Sequence, residues 1–110
     1  MRLRDARTGA ETEESADAMF VFIGAVPSTG IVDGLVETEA GFVVTGQDLI
    51  HEGRRPKGWQ PARDPFLLET SVPGIFAAGD ARHDVIRRVA SAVGEGAVAV
   101  SLVHKYLQTV

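Results

Sequence analysis

Cysteine is absent from the 110 residues, which excludes a disulfide within the chain, a thiolate metal site and a redox-active thiol pair. Any disulfide chemistry tied to this chain therefore takes place on other residues. Basic residues are outnumbered, 11 Lys and Arg against 15 Asp and Glu, and the net charge of -4 argues against nucleic-acid binding by phosphate neutralisation. No apolar run approaches the roughly 18 residues of a membrane span. The opening Met1-Arg2-Leu3-Arg4-Asp5 lacks the apolar core of a signal peptide, which makes the cytoplasm the expected compartment. Aromatics are scarce, at 6%, with a single Trp and a single Tyr. The length suits one modest domain.

What is present is a sequence of short strand signals followed by one long helix signal. Arg2 to Ala6 alternates charged and apolar residues, turns at Thr8-Gly9 and continues through an acidic stretch to Asp17, which predicts a hairpin. Ala18-Met19-Phe20-Val21-Phe22-Ile23-Gly24 is an unbroken apolar run and predicts a strand buried on both faces. Pro27-Ser28-Thr29-Gly30 breaks the chain, and Gly41 to Thr45 predicts a short strand after a turn at Glu37 to Ala40. From His51 to Pro65 no hydrophobic period survives, so the segment reads as a long loop in which Trp59 packs as an anchor rather than a ligand contact. Ile75-Phe76-Ala77-Ala78 predicts a second buried strand, ending in Gly79-Asp80. From there the spacing becomes helical, with Val89, Val93, Gly96, Val100, Val103 and Leu107 on one face and Ser91, Glu95, Ser101, Lys105 and Gln108 opposite. The helix is expected to begin near Ile86 or Arg87.

Gly94-Glu95-Gly96-Ala97-Val98-Ala99 satisfies the G-x-G-x-x-A pattern of a dinucleotide-binding turn. That fingerprint needs a strand before it and an acidic residue about 20 positions later. The helical period runs straight through both glycines instead, so they are expected to let a neighbouring backbone approach the helix closely. Asp80 is more telling. A carboxylate just past the carboxyl end of a buried strand is placed to meet a ligand and can accept hydrogen bonds from sugar-like hydroxyls; equally, Asp is favoured as a cap or in a turn. Arg87 and Arg88, expected in the first helical turn, oppose the helix dipole, which suggests use for an anion or carbonyl oxygen beside the free N–H groups, or else a solvated basic turn beside Asp84. His51, His83 and His104 have no metal-ligand spacing, and His83 alone falls near the proposed site. Neither a metal site nor a catalytic group is assigned. Glu11, Glu13 and Glu14 read as a solvated acidic edge.

Three segments together carry a resemblance: Phe20-Val21-Phe22-Ile23-Gly24 with Pro27 three positions on, Thr70-Ser71-Val72-Pro73-Gly74-Ile75-Phe76-Ala77-Ala78-Gly79-Asp80, and Arg87-Arg88-Val89 opening a helix that contains Gly94. They resemble thioredoxin reductase and, more widely, the FAD-dependent pyridine nucleotide-disulfide oxidoreductases. The resemblance implies an α/β fold, the C-terminal segment of a discontinuous, Rossmann-like FAD-binding domain with a few strands and one long C-terminal helix. Residues 1–17 would then be the last hairpin of an inserted NADPH-binding domain, and residues 18–110 the closing segment of the FAD domain. The resemblance makes Gly79, Asp80, Arg87, Arg88 and Val89 the cofactor-binding residues, Asp80 towards the ribityl hydroxyls and the helix start against the flavin. Val89 matches the family pattern, whereas Arg88 stands where the family has Gln and adds a charge.

The cofactors so implied are FAD, through a partial site, and NADPH, through a domain this chain does not contain. The N-terminal pyrophosphate glycines, the NADPH glycines and the C-x-x-C pair of the family are also absent here. Partners follow from that: the remaining FAD/NADPH portion or a homo-oligomer, with a thioredoxin-like acceptor for the whole enzyme and neither nucleic acid nor membrane. The expected function is an FAD-binding part of an NADPH-dependent oxidoreductase, inactive alone; ferredoxin and flavodoxin reductases share the architecture. The loop from Gly53 to Pro65 is longer than in plain thioredoxin reductases. The alternative is a free-standing, non-catalytic interaction module that pairs through an exposed sheet surface.

Overall fold

A computed structural model describes residues 1–110. The expected first hairpin forms: β1 (Arg2–Arg4) pairs antiparallel with β2 (Glu11–Glu13), Arg2 opposite Glu13 and Arg4 opposite Glu11. Its turn is closed by Asp5, whose carboxylate accepts the N–H of Arg7 at 2.7 Å and of Thr8 at 3.3 Å. Charges alternate across this ribbon, both strands are exposed, and it buries nothing.

A second hairpin joins β3 (Thr38–Glu39) to β4 (Phe42–Val43). Ala40 and Gly41 have φ of 49° and 83°, the left-handed pair that makes a tight two-residue turn match strand twist. The expected strand at Gly41 to Thr45 is thus found, and Thr38 and Glu39 belong to its partner rather than to the turn. The core gathers around this hairpin. Val36, Val43, Val44, Leu49 and Leu68 are its buried apolar residues. Gly46 N–H donates to Glu69 O, Ala77 N–H to Leu68 O and His83 N–H to Val43 O, all at 2.9 Å, so three separated segments are stitched together by backbone bonds.

Two expected strands are corrected. Residues 15–28 make no backbone–backbone hydrogen bond, and Phe20, Phe22 and Ile23 are exposed, the last at 91%. Ala18–Gly24 is therefore an unpaired segment with no strand. Ile75–Ala78 fares similarly, half-buried with a single antiparallel bridge from Phe76 to Glu69. Strand residues need a ladder partner, and this chain offers these segments almost none.

The helix α1 spans Val89–Leu107, two to three residues later than expected, because Arg88 is still extended at φ -133°, ψ 142°. Its docked stripe is Ser91, Ala92, Glu95, Gly96, Ala99, Leu102 and Tyr106, all half-buried. Val89, Val93, Val100 and Leu107, expected to face the core, are 83%, 69%, 58% and 57% exposed. At about 100° per residue the two faces lie roughly a third of a turn apart. Small residues approach the body, and the valines are left for something else.

The surface area measures how much is left. The chain exposes 8226 Å², whereas a compact monomer of this mass exposes about 5,900 Å². Its radius of gyration is 19.8 Å against about 13 Å for a compact chain of this length. The excess of about 2,300 Å² is more than twice the ~800 Å² that each partner contributes to a standard interface. Its large apolar residues include Met19, Phe20, Phe22 and Ile23 in the unpaired segment and the valine face of α1, and not the sheet face expected to pair in the interaction-module reading. No helix is long and apolar enough to cross a membrane.

Candidate functional site

The Thr70–Gly74 turn shows why its residue types occur in that order. The Thr70 hydroxyl accepts the N–H of Val72 at 3.2 Å and closes the turn locally. Ser71 Oγ accepts the N–H of Glu37 at 2.8 Å and ties the turn to the second hairpin. Gly74 has φ +85°, and a Cβ there would lie 2.7 Å from the Tyr106 ring, so both conformation and space demand glycine. Beneath the turn Glu69 is fully buried and accepts a bidentate pair from Arg63 at 2.6 and 3.0 Å, plus the N–H groups of Phe66 and Gly74 at 2.9 Å. Burial alone raises the Glu69 carboxyl, but the Arg63 guanidinium and the two N–H groups outweigh it and hold the group below the usual carboxylate range. Hydrogen bonding to Glu69 correspondingly raises Arg63, which also lies 3.8 Å over the Phe66 ring.

The chain leaves this turn along Ile75–Ala78 and enters a 3-10 turn at Gly79–Ala81. Gly79 has φ +77°, and a Cβ would meet the Ala92 Cβ of α1 at 3.2 Å. An open cleft of about 550 Å³ follows, lined by Ala78, Gly79, Asp80, Arg87, Arg88, Val89, Ala92 and Val93. All five residues singled out from the sequence line this one cleft. Asp80 is exposed, and the side-chain bonds of the turn, from Gly79 and Arg82 to Glu95, leave it out. It lies in a 3-10 turn but caps nothing with its carboxylate. Across the cleft α1 begins without a side-chain cap and without an acidic residue in its first turn. The N–H groups of Val89, Ala90 and Ser91 precede the first helical bond, from Ala92 N–H to Arg88 O, and so present partial positive charge to the cleft. Arg87 and Arg88 precede the helix rather than opening it. The Arg87 guanidinium sits 4.4 Å over the Phe42 ring.

Glu95 is the residue that sequence reasoning misplaced. Assigned to the solvent side, it instead turns into the body, where one oxygen accepts the Gly79 N–H at 2.6 Å and the other accepts from Arg82 Nη1 at 2.5 Å. Arg82 is itself buried, and its Nε donates to Thr45 Oγ1 at 2.8 Å. The available signal was its place among small residues, Ser91, Ala92, Gly96 and Ala99, on the stripe that docks. The G-x-G-x-x-A string lies wholly within α1, and space is open within 4 Å of where a Cβ would stand on Gly94 and Gly96. The close backbone approach expected of those glycines is therefore not what they provide; Gly79 and Ala92 make the tight contact instead.

Residues 2–96 match the family of pyridine nucleotide-disulphide oxidoreductases. The chain belongs to that family. Among curated relatives, thioredoxin reductase from Treponema pallidum is 35% identical over 97% of this chain and 29% of its own length. Thioredoxin reductase from Bacillus subtilis is 31% identical over 96% of this chain and 28% of its own length. Among solved structures, thioredoxin reductase from Streptococcus pyogenes superposes with a TM-score of 0.67 at 30% identity, covering 99% of this chain and 30% of that one. The chain thus spans under a third of the length of these relatives. The fold is the expected one: an α/β segment of a Rossmann-like domain with short strands and one C-terminal helix.

Within this pyridine nucleotide-disulphide oxidoreductase chain, none of the three histidines lines the cleft. His51 contacts Glu37 at 2.9 Å, His83 lies 3.7 Å from Glu39, and His104 is exposed on α1. Trp59 anchors its loop as expected, its indole N–H donating to Arg63 O at 2.7 Å. Glu11 and Glu13 lie exposed on β2.

Proposed function

We propose that the chain supplies the ribityl and flavin-facing side of an FAD site in an NADPH-dependent oxidoreductase of the thioredoxin reductase type, and that it works only together with the remaining FAD/NADPH portion. The observation that carries this reading is the pairing, across one cleft, of an unengaged Asp80 carboxylate with the uncapped start of a 19-residue helix. A carboxylate accepts hydroxyl hydrogen bonds, and free backbone N–H groups donate to carbonyl or anionic oxygen. A polyol joined to an electron-accepting ring with carbonyl edges fits both ends of such a cleft, and the tight Gly79–Ala92 contact lets the backbone come close to it.

When bound, FAD supplies two-electron transfer between the hydride donor and the acceptor. The residues of this chain hold and polarise. Asp80 orients the chain of hydroxyls. The N–H groups at Val89 and Ala90 favour negative charge developing on the ring edge, because they are preorganised and need no rearrangement at the moment of reduction. Arg88, where the family pattern has Gln, adds a full positive charge to the same edge. Gly79 lets the backbone turn tightly enough to bring Asp80 to the cleft.

The same reading assigns residues 1–17 to an NADPH-binding domain and residues 18–110 to the FAD domain. It is supported by the exposed, charge-paired hairpin β1–β2 and by the hydrogen-bond-free stretch 15–28 that follows it. The physiological acceptor in this reading is a thioredoxin-like protein. The exposed valine face of α1 favours a complementary portion of the enzyme as the main partner over a homo-oligomer, since two of its residues, Val89 and Val93, line the cleft.

The test is FAD titration followed by absorbance and equilibrium dialysis, on the chain alone and co-expressed with the glycine-rich first half of an FAD domain. Tight retention only in the complex, lost on Asp80→Ala, is the expected result. No retention in either state refutes the flavoenzyme reading and leaves a non-catalytic interaction module.

A further inference from the structure

We infer that Glu95 and Arg82 are positioning residues for the cleft: they set where Asp80 stands relative to the start of α1 without lining the cleft themselves. The inference rests on the FAD reading above and adds the machinery that aims its ligand-facing groups. Both hydrogen bonds that join residues 79–82 to α1 end on Glu95. One oxygen takes the Gly79 N–H, and Asp80 is the next residue along the chain. The other takes Arg82, whose Nε is fixed by Thr45 beside the end of β4. The helix, the turn and the second hairpin are thus pinned at a single carboxylate, and most of its side chain is covered, since only 22% remains accessible.

The chemistry of the pin is restrictive. Each of the two oxygens receives its own donor, so both positions must be acceptors. Glutamine has the same shape but one acceptor, and its NH₂ would face either the Gly79 N–H or the Arg82 guanidinium. Aspartate is one methylene shorter and reaches only one partner. At Gly79 the φ of +77° and the 3.2 Å at which an added Cβ would meet Ala92 disfavour any other residue, so the turn that carries Asp80 depends on glycine and on the acceptor for its N–H. Loss of the pin leaves the Gly79 N–H without its acceptor, so the Gly79 peptide turns to find another and takes Asp80 with it, while the packing of Tyr106 on Phe76 persists.

The experiment uses the full chain in complex with the co-expressed half, and reads two quantities: FAD affinity by titration, and the ¹⁵N–¹H resonance of Gly79. Glu95→Gln is expected to weaken FAD by about tenfold, as loss of a charge-assisted bond implies, and to move the Gly79 amide proton upfield, with helical circular dichroism unchanged. In the double variant Glu95→Gln/Arg82→Gln, the amide introduced on the helix finds an acceptor for its NH₂ and keeps its oxygen for Gly79. Both readouts are expected to recover most of the way. Where Glu95→Gln lowers helical content, Glu95→Asp is read in its place, with the same expected direction. The proposal is overturned if FAD affinity stays within about twofold of wild type while Asp80→Ala weakens it. It is equally overturned if FAD is lost with the Gly79 resonance unmoved, or if the double variant brings no recovery. Failure of the wild-type complex to take FAD would instead sink the flavin reading, and this inference with it, a result distinguishable from the others by the wild-type titration alone.

Discussion

Replacing Glu69 by Gln tests the buried centre of the fold. The carboxylate receives four hydrogen bonds, two on each oxygen: Arg63 Nη1 and Phe66 N–H on one, Arg63 Nη2 and Gly74 N–H on the other. Glutamine keeps one of those oxygens and turns an NH₂ towards the other two donors. Leaving buried donors unsatisfied costs about 1–3 kcal/mol each, and Arg63, 23% exposed, recovers part of its share from water. The expected loss is about 3 kcal/mol, a large fraction of the roughly 5–15 kcal/mol of a small domain. Urea denaturation followed by the fluorescence of Trp59, which is hydrogen-bonded to Arg63, reads it directly. With a slope near ~1.5 kcal/mol per molar, the midpoint falls by about 2 M. The pH dependence has a definite sign. Because the folded Glu69 carboxyl is held below its ordinary value, its contribution is complete above the unfolded value of about 4.3 and is lost as pH falls through the lower folded value. Wild type should therefore lose its advantage over Glu69→Gln between about pH 5 and the acid limit, other carboxylates cancelling in the difference. A loss under about 1 kcal/mol at pH 7, or a difference that stays constant down to about pH 3, refutes the assignment of Glu69 as the buried tie.

Three further outcomes follow from the same contacts. Gly79→Ala places a Cβ against Ala92 at a left-handed φ and is expected to cost about 1–3 kcal/mol in thermal unfolding. Asp80→Ala removes a carboxylate left out of the hydrogen bonds of its turn, so its stability is expected within about 0.5 kcal/mol of wild type even where flavin retention is lost; a larger change would mean that Asp80 is structural. Val93→Lys on the exposed face of α1 is expected to leave the chain as stable as before but to abolish co-elution with the complementary FAD-domain half on size exclusion.

The sequence made the local structure readable where local chemistry decides it. Alternating charges around Asp5 and Gly9 specified the first hairpin, and the run of Pro, Gly and Arg from Gly53 to Pro65 specified a loop. The cleft was readable as well, since Asp80 after an apolar stretch and a helix shortly after it brought the five expected residues together. The two apolar stretches were read as buried strands because hydrophobicity reports what a segment is suited to bury, not whether a partner is within reach. Phe22 at 90% exposure has the composition of a core residue and no core to occupy. The valine face of α1 misled for the same reason. Glu95 escaped notice because a buried carboxylate looks like any surface glutamate until its two donors, Gly79 and Arg82, arrive from 16 and 13 residues away.

The unpaired stretch Ala18–Ile23 bears on how such a chain survives in a cell. It has six consecutive apolar residues, no proline, no charge and every backbone donor and acceptor of the stretch free of backbone partners. That combination is the signature of segments that stack into cross-β fibrils, and Asp17 is the only charged residue flanking it closely. Synthesised without a covering surface, the chain is set to self-associate through this edge, so its solubility depends on how quickly the segment is covered during folding. Keeping that segment covered is thereby a condition of the chain's solubility.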